Sequence, residues 1–562
     1  MLRRILNYKT KTVSLAAFFV AFFTFLGYVL AILRDNFLAN FLTNTQADVY
    51  WAAFRVPDFV YGILITGGVT AAFLPVFADC WQKDKQAARN LFSNVFTFFL
   101  LALAVLSFLL AIFAPFIIDL IVPGFSNTQQ DQTVILARLM FLSPIILGVS
   151  AIFSGVLQYF DFFIAFSLAP IFYNLGIIIG IIFFLPLIGL PGLALGVVFG
   201  ALMHFFVQLF PLLKVGFMPS FLLQLNSANL KKILKLMAPR TIGAGAYHLN
   251  LIVITAIASL LAAGSIKIFN LANNLYGVPL GLIGAPFAIA VFPLLSRCCA
   301  KQEKEKFLKA LSRTFSSILF LTVPLSAFFF LFRVQIVRLL YGAQISAGGH
   351  FGWWETRLTA SSVGIFAISI FAACLVPLLA RAFYSLQDTK TPVKIAIFSI
   401  IFNLFLTYFF VRILGPGNAF ANLLANFLKV EKLNNLEILG LPLALSISCL
   451  GQFFWLLFYL KRKINLKTYR FLEPFFALKV LMITLISSLA AYFCLRLSAQ
   501  WFNVNTVLGL FWQIVFSASI SISVYCFLAL AWGFKEPVLL WRHCLLFVKR
   551  FKFHFRGIRG QN

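Results

Sequence analysis

Acidic residues and histidines are scarce in this chain. Only 16 of its 562 residues are Asp or Glu, and five are His. The sequence contains no Asp-x-Asp pair, no His cluster and no glycine-rich phosphate loop, which are patterns that supply enzymes with metal ligands, general bases and phosphate sites. A membrane glycosyltransferase or polymerase would need such groups in its loops. The sequence therefore argues against an enzyme.

Cysteines are also few, and they form no framework. Of the eight Cys, most lie inside apolar stretches, and Cys298 and Cys299 are adjacent. No C-x-x-C pair of the kind that binds metals or forms redox disulfides is present. We predict no disulfide framework, no metal centre and no cofactor.

Apolar residues, by contrast, are abundant. Hydrophobic residues make up 62% of the chain, including 71 Phe, and charged residues only 11%. A soluble fold could not bury so much apolar surface. Apolar stretches long enough to cross roughly 30 Å of hydrocarbon predict an all-α polytopic membrane protein with about 14 transmembrane helices. The predicted spans are residues 13–33, 49–78, 92–118, 134–160, 162–184, 189–213, 236–262, 268–296, 308–341, 358–385, 392–414, 437–460, 473–496 and 506–533.

Basic residues are concentrated at the two ends of the chain and in alternate loops. The loops around residues 119–133, 185–188 and 498–505 carry no Lys or Arg. Because basic loops remain on the cytoplasmic side, both termini are predicted to be cytoplasmic. The net charge of +29 is explained by this face, which would contact anionic membrane lipids. The charge is spread over many short loops, so we predict no nucleic-acid partner.

Two pairs of segments indicate an internal repeat. Residues 157–175 align without a gap with residues 386–404, and residues 54–77 resemble residues 275–296 in their Val-Pro, glycine-rich and late Phe and Pro positions. Two pseudo-symmetric six-helix lobes in the same topology would produce this pattern. The predicted domains are an N-lobe at 1–235, a C-lobe at 236–471, two C-terminal helices at 472–534 and a basic cytoplasmic tail at 535–562.

A polar turn interrupts the apolar sequence FYSLQDTKTPVKIAI at residues 383–397. We predict a cytoplasmic turn containing Gln387 and Asp388, with Thr391 as the helix N-cap and Pro392 as the first helical residue. A capped turn beside basic residues is enough to explain the carboxylate of Asp388. It does not explain the particular order of residues in this segment.

Charged residues inside the predicted spans are mostly cationic. A charge at the bilayer centre costs at least ~2.5 kcal/mol on insertion scales, so such residues usually face a cavity. Several Lys or Arg groups there could bind phosphate through charge-assisted hydrogen bonds, whereas a cation-driven drug extruder would more naturally bury carboxylates. The charged candidates are Arg34, Asp35, Arg55, Arg240, Lys267 and Arg381. Asp58 lies about one helical turn after Arg55, and His248 lies in the same predicted span as Arg240.

Several of these residues also have simpler interpretations. Arg34 and Asp35 could form an ion pair at the membrane interface. Lys267 or Arg381 could extend to the membrane surface along an apolar stem. His248, on an apolar helix, could be a hydrogen-bonded core residue.

The turn at 383–397 carries a family resemblance together with three other segments. These are VLAILRDNFLANFL at the end of the first span, AAFRVPDFVYGILITGGVTAAFLPVF in the second and GVPLGLIGAPFAIAVFPLLSR in the eighth. The chain resembles the MurJ/MviN family of bacterial lipid II flippases, part of the multidrug/oligosaccharidyl-lipid/polysaccharide exporter superfamily. The resemblance implies transfer of an undecaprenyl-pyrophosphate-linked peptidoglycan precursor from the inner to the outer leaflet by alternating access, in a bacterial inner membrane. We expect a monomer.

Two other functions remain open at this stage. The chain could move another polyprenyl-linked polysaccharide precursor or, less readily, act as a drug or cation antiporter of the same superfamily. The last two helices have no counterpart in the repeat, so we expect them to pack outside one lobe and form an apolar groove for a lipid chain.

The resemblance also suggests site residues. Arg34, Asp35 and, more loosely, Arg55 fall on family cavity charges, whereas Asn274 stands where the family pattern has a charge. Either the additional cations replace the missing charges, or the substrate differs. The predicted substrate-binding residues are Arg34, Asp35, Arg55, Arg240, Lys267, Asn274 and Arg381, and the predicted gating or turn residues are Pro57, Pro279, Gln387, Asp388 and Pro392.

Overall fold

The computed structural model describes residues 13–66, 69–342, 349–431, 433–464, 475–504 and 506–538. Within these ranges, the side chains of residues 13–18, 64–66, 69–71, 239–240, 242–244 and 246 are outside the description. The described residues form helices joined by turns and loops, and none of them forms a β-strand. The all-α prediction is confirmed.

Ten α-helices make up the described chain up to residue 214. They are α1 (Val13–Phe41), α2 (Asn44–Thr66), α3 (Val69–Lys83), α4 (Lys85–Ile112), α5 (Ala114–Ile121), α6 (Asn127–Met140), α7 (Leu142–Tyr159), α8 (Phe163–Ile179), α9 (Leu185–Ile188) and α10 (Leu190–Lys214). A π-helical turn at Gly180–Phe184 joins α8 to α9.

Twelve α-helices follow in the described remainder of the chain. They are α11 (Ala228–Ser259), α12 (Ser265–Pro279), α13 (Ala285–Ala300), α14 (Lys304–Leu331), α15 (Arg333–Leu340), α16 (Trp353–Ala367), α17 (Ile370–Ser385), α18 (Lys390–Ile413), α19 (Ala419–Leu428), α20 (Gly440–Ile464), α21 (Phe476–Trp501) and α22 (Val507–Ala531). A second π-helical turn, Leu280–Gly284, joins α12 to α13, and a short 3-10 helix, Leu436–Leu439, precedes α20.

The described helices have the length and composition of a multi-pass membrane protein. Eleven are long and apolar enough to cross a membrane, and the bent pair α16 and α17 brings the number up to 12. The predicted span at 236–262 is helical as far as residue 259, although some of its side chains lie outside the description, and the predicted span at 49–78 is helical on both sides of residues 67 and 68, which lie outside it. The polytopic fold is confirmed, and the count of fourteen spans stays a prediction.

The chain folds into two compact units. The first unit comprises Met1–Asn274, Leu340–Ser362 and Ala396–Ser448, and the second comprises Leu275–Leu339, Val363–Ile395 and Cys449–Asn562. The first unit thus contains α1, α2, α11 and most of α12, which carry most of the predicted cavity residues. The lobes predicted from the repeat stay a prediction.

In the first unit, α10 crosses closely over α8 and the start of the following π-helical turn, because both sides carry glycine at the contact. A Cβ atom at Gly176 would collide with the backbone of Gly200, and one at Gly180 would collide with the backbone of Gly196. The four-residue spacing places these glycines on one face of each helix. Small residues of this kind allow helices to pack closely in a membrane. This contact holds α10 against the helix that carries Asn174.

In the second unit, the last two helices pack against each other, and α21 also packs on α14. The Tyr525 hydroxyl of α22 donates a hydrogen bond to the Phe320 carbonyl of α14 at 2.8 Å. The ring of Phe534 lies 5.7 Å from that of Phe320 and 5.4 Å from that of Phe476. The C-terminal helices are therefore joined to α14 by aromatic packing, and the lipid groove stays a prediction.

Candidate functional site

Arg34 and Asp35, at consecutive positions of α1, form a buried ion pair. Both Nε and Nη2 of Arg34 donate to Oδ1 of Asp35, at 3.0 and 2.7 Å. The third contact runs from Arg34 Nη1 to Asn174 Oδ1 of α8, at 2.9 Å. Asp35 is 1% exposed, whereas the Arg34 side chain keeps 20% of its surface. One carboxylate thus balances this guanidinium.

Asn274 of α12 completes the first centre. Its side-chain Nδ2 donates to Oδ2 of Asp35 at 2.7 Å. The structure thus brings together three of the predicted site residues, Arg34, Asp35 and Asn274. Where the family resemblance suggests a charge, a neutral amide satisfies the second oxygen of the carboxylate.

Arg55 of α2 forms a second centre with neutral partners. Its Nε donates to the Thr255 hydroxyl of α11 at 2.7 Å, and its Nη2 donates to the Asn270 side-chain oxygen of α12. In the part of the chain that the structure describes, no carboxylate lies within 4.0 Å of this guanidinium. A buried cation whose hydrogen bonds go to neutral groups keeps its positive charge available to an anion.

Lys267, near the start of α12, is 0% exposed. Its ammonium donates to the Asn44 side-chain oxygen at 3.1 Å and lies 5.6 Å from the centre of the Phe351 ring. Asp48 accepts hydrogen bonds from the backbone N–H groups of Gly264 and Lys267, at 2.6 and 2.7 Å, and so caps α12. Lys267 would have to leave these contacts before it could bind a substrate, and that role stays a prediction.

Asparagines near the α1–α2 junction make contacts that sequence reasoning missed. They contact the end of α15, the residue after it and the first turn of α16. The contacts are Asn36 Nδ2 to the Leu340 carbonyl at 2.6 Å, Asn40 Nδ2 to the Tyr341 carbonyl at 2.8 Å and Asn44 Nδ2 to Glu355 Oε1 at 2.9 Å. The four-residue spacing of Asn36 and Asn40, which places both on one face of α1, was the available signal.

Asp58 of α2 and His248 of α11 form a further polar contact. His248 Nδ1 lies 3.5 Å from Asp58 Oδ2. Gly62 makes room for the ring, because a Cβ atom there would collide with the imidazole. His248 therefore has a carboxylate partner, which its apolar sequence surroundings did not indicate.

The structure gives fewer contacts for the two remaining predicted cavity cations, Arg381 and Arg240. Arg381 of α17 belongs to the second unit, where its guanidinium carbon lies 6.0 Å from the centre of the Phe292 ring. It is half-buried and makes no hydrogen bond or ion pair with the described residues. The side chain of Arg240 lies outside the description. Their substrate contacts stay predictions.

The predicted gating prolines lie at different positions in their helices. Pro57 is inside α2, between Arg55 and Asp58. Pro279 ends α12 immediately before the π-helical turn Leu280–Gly284. π-helical turns frequently occur at functional sites, and proline removes a backbone donor from a helix. A gating role for both residues stays a prediction.

The 386–391 turn differs from the sequence prediction in its cap. Helix α18 already begins at Lys390, and Asp388 accepts hydrogen bonds from the backbone N–H and hydroxyl of Thr391, at 3.0 and 2.8 Å. The prediction of Thr391 as N-cap is wrong, because a carboxylate is the better acceptor and the hydroxyl donates to it. Gln387 has a positive φ of 58°. The prediction of Pro392 as the first helical residue is also wrong, because α18 begins at Lys390, but Pro392 still lies in the first helical turn, where no N–H is needed.

Asp388 also pairs with the ammonium of Lys463 in α20. Partial burial acts to raise the pKa of Asp388, but hydrogen bonds from Lys463 and Thr391 outweigh it and lower that pKa to about 2. The carboxylate is therefore ionised at physiological pH. Asp388 thus links the start of α18, through Thr391, to the end of α20, through Lys463.

The geometry provides cation-bearing polar centres between membrane helices. Among the described residues, no group of three or more His, Cys, Asp or Glu could hold a metal ion. Buried arginines held between several membrane-spanning helices are typical of proteins that bind polar ligands within the bilayer. Fold and site together define a polytopic membrane protein that carries cationic polar centres among its membrane helices.

Solved structures share this fold. A structure described as "Lipid II flippase MurJ, inward closed conformation" matches with a TM-score of 0.69 and 22% identity, covering 91% of this chain and 97% of that chain. An inward-facing multidrug resistance MATE family transporter of the MOP superfamily matches with a TM-score of 0.62 and 15% identity, covering 78% and 96%. At these identities the likeness shows the fold alone.

The sequence comparisons identify the family. A family model described as lipid II flippase MurJ matches residues 37–512. The chain therefore belongs to the MurJ lipid II flippase family, which confirms the resemblance found in the sequence.

Three similar relatives carry the same description. The probable lipid II flippase MurJ of Rickettsia prowazekii is 28% identical over 388 residues, covering 68% of this chain and 75% of the relative. The lipid II flippase MurJ of Burkholderia cenocepacia is 28% identical over 406 residues, covering 70% and 78%. The probable lipid II flippase MurJ of Buchnera aphidicola (subspecies Acyrthosiphon pisum) is 25% identical over 519 residues, covering 91% and 95%.

Proposed function

We propose that the protein moves lipid II, the undecaprenyl-pyrophosphate-linked peptidoglycan precursor, from the inner to the outer leaflet by alternating access. The observation that carries this proposal is the family match over residues 37–512. The buried, cation-bearing centres of the first unit support it, because the diphosphate of the substrate is anionic.

The two arginine centres would divide the binding task. Arg55 donates to Thr255 and Asn270, which are neutral acceptors that a phosphate oxygen could replace. Arg34 likewise donates one N–H to neutral Asn174 while Asp35 holds the rest of its guanidinium. Each charge-assisted hydrogen bond to the diphosphate would contribute about 1.5–3 kcal/mol.

The setting of the protein follows from the same proposal. It would work in a bacterial inner membrane with both termini in the cytoplasm, where its basic loops contact anionic lipids. We propose that it acts as a monomer and changes no covalent bond of its substrate.

Transfer of labelled lipid II in proteoliposomes tests the function. We expect the full-length protein to carry the label from one leaflet to the other, with the recovered lipid chemically unchanged, and protein-free vesicles to show no such transfer. A new glycan product would contradict the proposal and indicate an enzyme. Absence of transfer by correctly inserted protein would also contradict it.

A second candidate substrate is another polyprenyl-linked polysaccharide precursor. The observation that favours it is Asn274, which places a neutral amide on Asp35 where the family resemblance suggests a charge. Rescue of bacterial growth after depletion of the resident lipid II flippase separates the two candidates. Growth supports lipid II, whereas failure despite correct insertion supports the other glycan.

A further inference from the structure

The Asp58–His248 contact is a partly accessible acid–base pair between two membrane helices. Its two atoms, His248 Nδ1 and Asp58 Oδ2, are 3.5 Å apart, and the side chains are 16% and 34% exposed. The pair is therefore neither sealed in the core nor fully in solvent. Gly62 leaves the space that the imidazole fills.

The pair lies beside Arg55 on the same helical faces. Arg55 and Asp58 are one turn apart on α2, while their partners Thr255 and His248 are two turns apart on α11. The order of the contacts is reversed between the helices, so α2 and α11 run antiparallel along one polar seam. An anion that binds Arg55 would consequently be close to the acid–base pair.

His248 determines the net charge of this seam. Arg34 is balanced by Asp35, and Arg55 has only neutral hydrogen-bond partners among the described residues. With a neutral imidazole, the charges of Arg55 and Asp58 cancel. With a protonated imidazole, the seam carries one net positive charge.

The other groups facing Asp58 do not titrate near neutral pH. The charged or titratable ones are Arg55 and Tyr61 of α2, Tyr173 of α8 and Tyr247 of α11. Helix α12 contributes two uncharged residues, Asn270, which contacts Arg55, and Asn273, which contacts Tyr247. Arginine and tyrosine ordinarily titrate well above neutral pH, whereas imidazole ordinarily titrates at about 6.5.

We propose that His248 and Asp58 form a proton-binding site that loads when the diphosphate headgroup of the substrate binds at Arg55. This inference rests on the proposed function, and it implies that the protein with bound substrate holds one more proton than the free protein. Protonation favours the anion, and by linkage the bound anion favours protonation to the same extent. Binding is thus tighter at acidic pH and weakens as the pH rises.

The test measures lipid II binding to the purified full-length protein in lipid nanodiscs, at about pH 5.5 and about pH 8.5, on either side of the ordinary imidazole pKa. A diphosphate diester stays doubly ionised across this interval, so a change in affinity comes from the protein. We expect the Kd to be lower by about tenfold at the acidic pH, which corresponds to about one unit of linked pKa shift. Calorimetry in buffers of different ionisation enthalpy should record uptake of up to about one proton near neutral pH.

Two substitutions should act in opposite directions. His248→Gln removes the proton acceptor, so binding should stay weak at both pH values. Asp58→Asn removes the opposing negative charge, so affinity at the alkaline pH should rise toward the acidic wild-type value. His350→Gln is the matched control, because His350 is exposed outside this pair, and it should keep the wild-type pH dependence. A purely structural role would weaken binding in both variants of the pair.

The outcomes are distinguishable. Wild-type protein that binds lipid II equally at both pH values without proton uptake overturns the proton site alone, as does His248→Gln with unchanged pH dependence. If His248→Gln does not fold, proton uptake by the wild-type protein and the affinity of Asp58→Asn at the alkaline pH still test the proposal. No lipid II binding at either pH overturns the proposed function and this inference with it.

Discussion

The two arginine centres of the first unit use the same side chain in different electrostatic states. Arg34 is tied to Asp35 and forms a neutral pair, whereas Arg55 is buried among the neutral groups of Thr255 and Asn270. A buried ion pair fixes geometry at the cost of its free charge, and a buried cation with neutral partners keeps that charge. The comparison teaches that burial of an arginine alone does not indicate whether it can bind an anion.

The largest effect should come from breaking the neutral pair. Asp35→Ala leaves the Arg34 guanidinium buried without its counter-ion, and removing one partner of a buried pair typically costs about 3–5 kcal/mol. We expect a marked fall in the unfolding temperature of the purified protein. Asn274→Ala is the matched control, since it removes only a neutral hydrogen bond to the same carboxylate. Equal stability of the two variants would contradict a stabilising ion pair between Arg34 and Asp35.

Removing the other arginine should affect binding more than folding. Arg55→Ala deletes a cation whose partners are neutral, so the fold loses little, but lipid II binding should weaken by about tenfold or more, or ~1.5–3 kcal/mol. Arg55→Lys should restore part of the affinity, because an ammonium cannot reproduce the planar fork. Binding isotherms and unfolding temperatures of both variants check this. Unchanged affinity in Arg55→Ala would contradict the proposed site.

A third substitution should make the first centre resemble the second. Asn274→Arg places another cation beside Asp35, so the Arg34 centre would carry a net positive charge. We expect normal membrane insertion and a smaller change than in Arg55→Ala, namely tighter lipid II binding by several-fold, consistent with roughly 1 kcal/mol from an added partly solvated charge. Loss of insertion would indicate that this position cannot accept a charge.

The smallest effect should come from the charged pair in the 386–391 turn. Because the pKa of Asp388 is about 2 when folded and 3.8 ordinarily, its contribution to stability is fully present above about pH 4 and is lost as the pH falls toward 2. Asp388→Asn should therefore lower stability by about 0.2–1 kcal/mol, as for other partly exposed ion pairs, and equally at pH 6 and pH 8. Thermal unfolding at these pH values tests it, and a difference between them would contradict the assigned pKa.

The sequence predicted which residues matter in the membrane better than it predicted their partners. Charges inside apolar spans are expensive, so Arg34, Asp35 and Arg55 were identifiable from local sequence. Thr255 and Asn270 were not, because uncharged polar residues are common in membrane helices and nothing in their local pattern distinguishes them. Helical periodicity gives the face of a residue, but not which distant helix packs against that face.

Two further differences have the same physical origin. Lys267 looked like an available cation, yet it is buried against Asn44 and Phe351, which adjoin it only in the folded chain. The cap of α18 was assigned to Thr391 from the position of Pro392, but Asp388 competes as a stronger acceptor and has Lys463 beside it. In both cases a distant residue decided between locally plausible arrangements.

The glycine crossing of α8 and α10 also limits how a transport cycle can proceed. Where backbones touch at Gly176–Gly200 and Gly180–Gly196, no side chains lie between the helices to change rotamer and permit sliding. The two helices should therefore tilt as one rigid pair, and Asn174 should travel with α10. Any helix movement that separates Arg34 from Asn174 would then shift α1 relative to that pair.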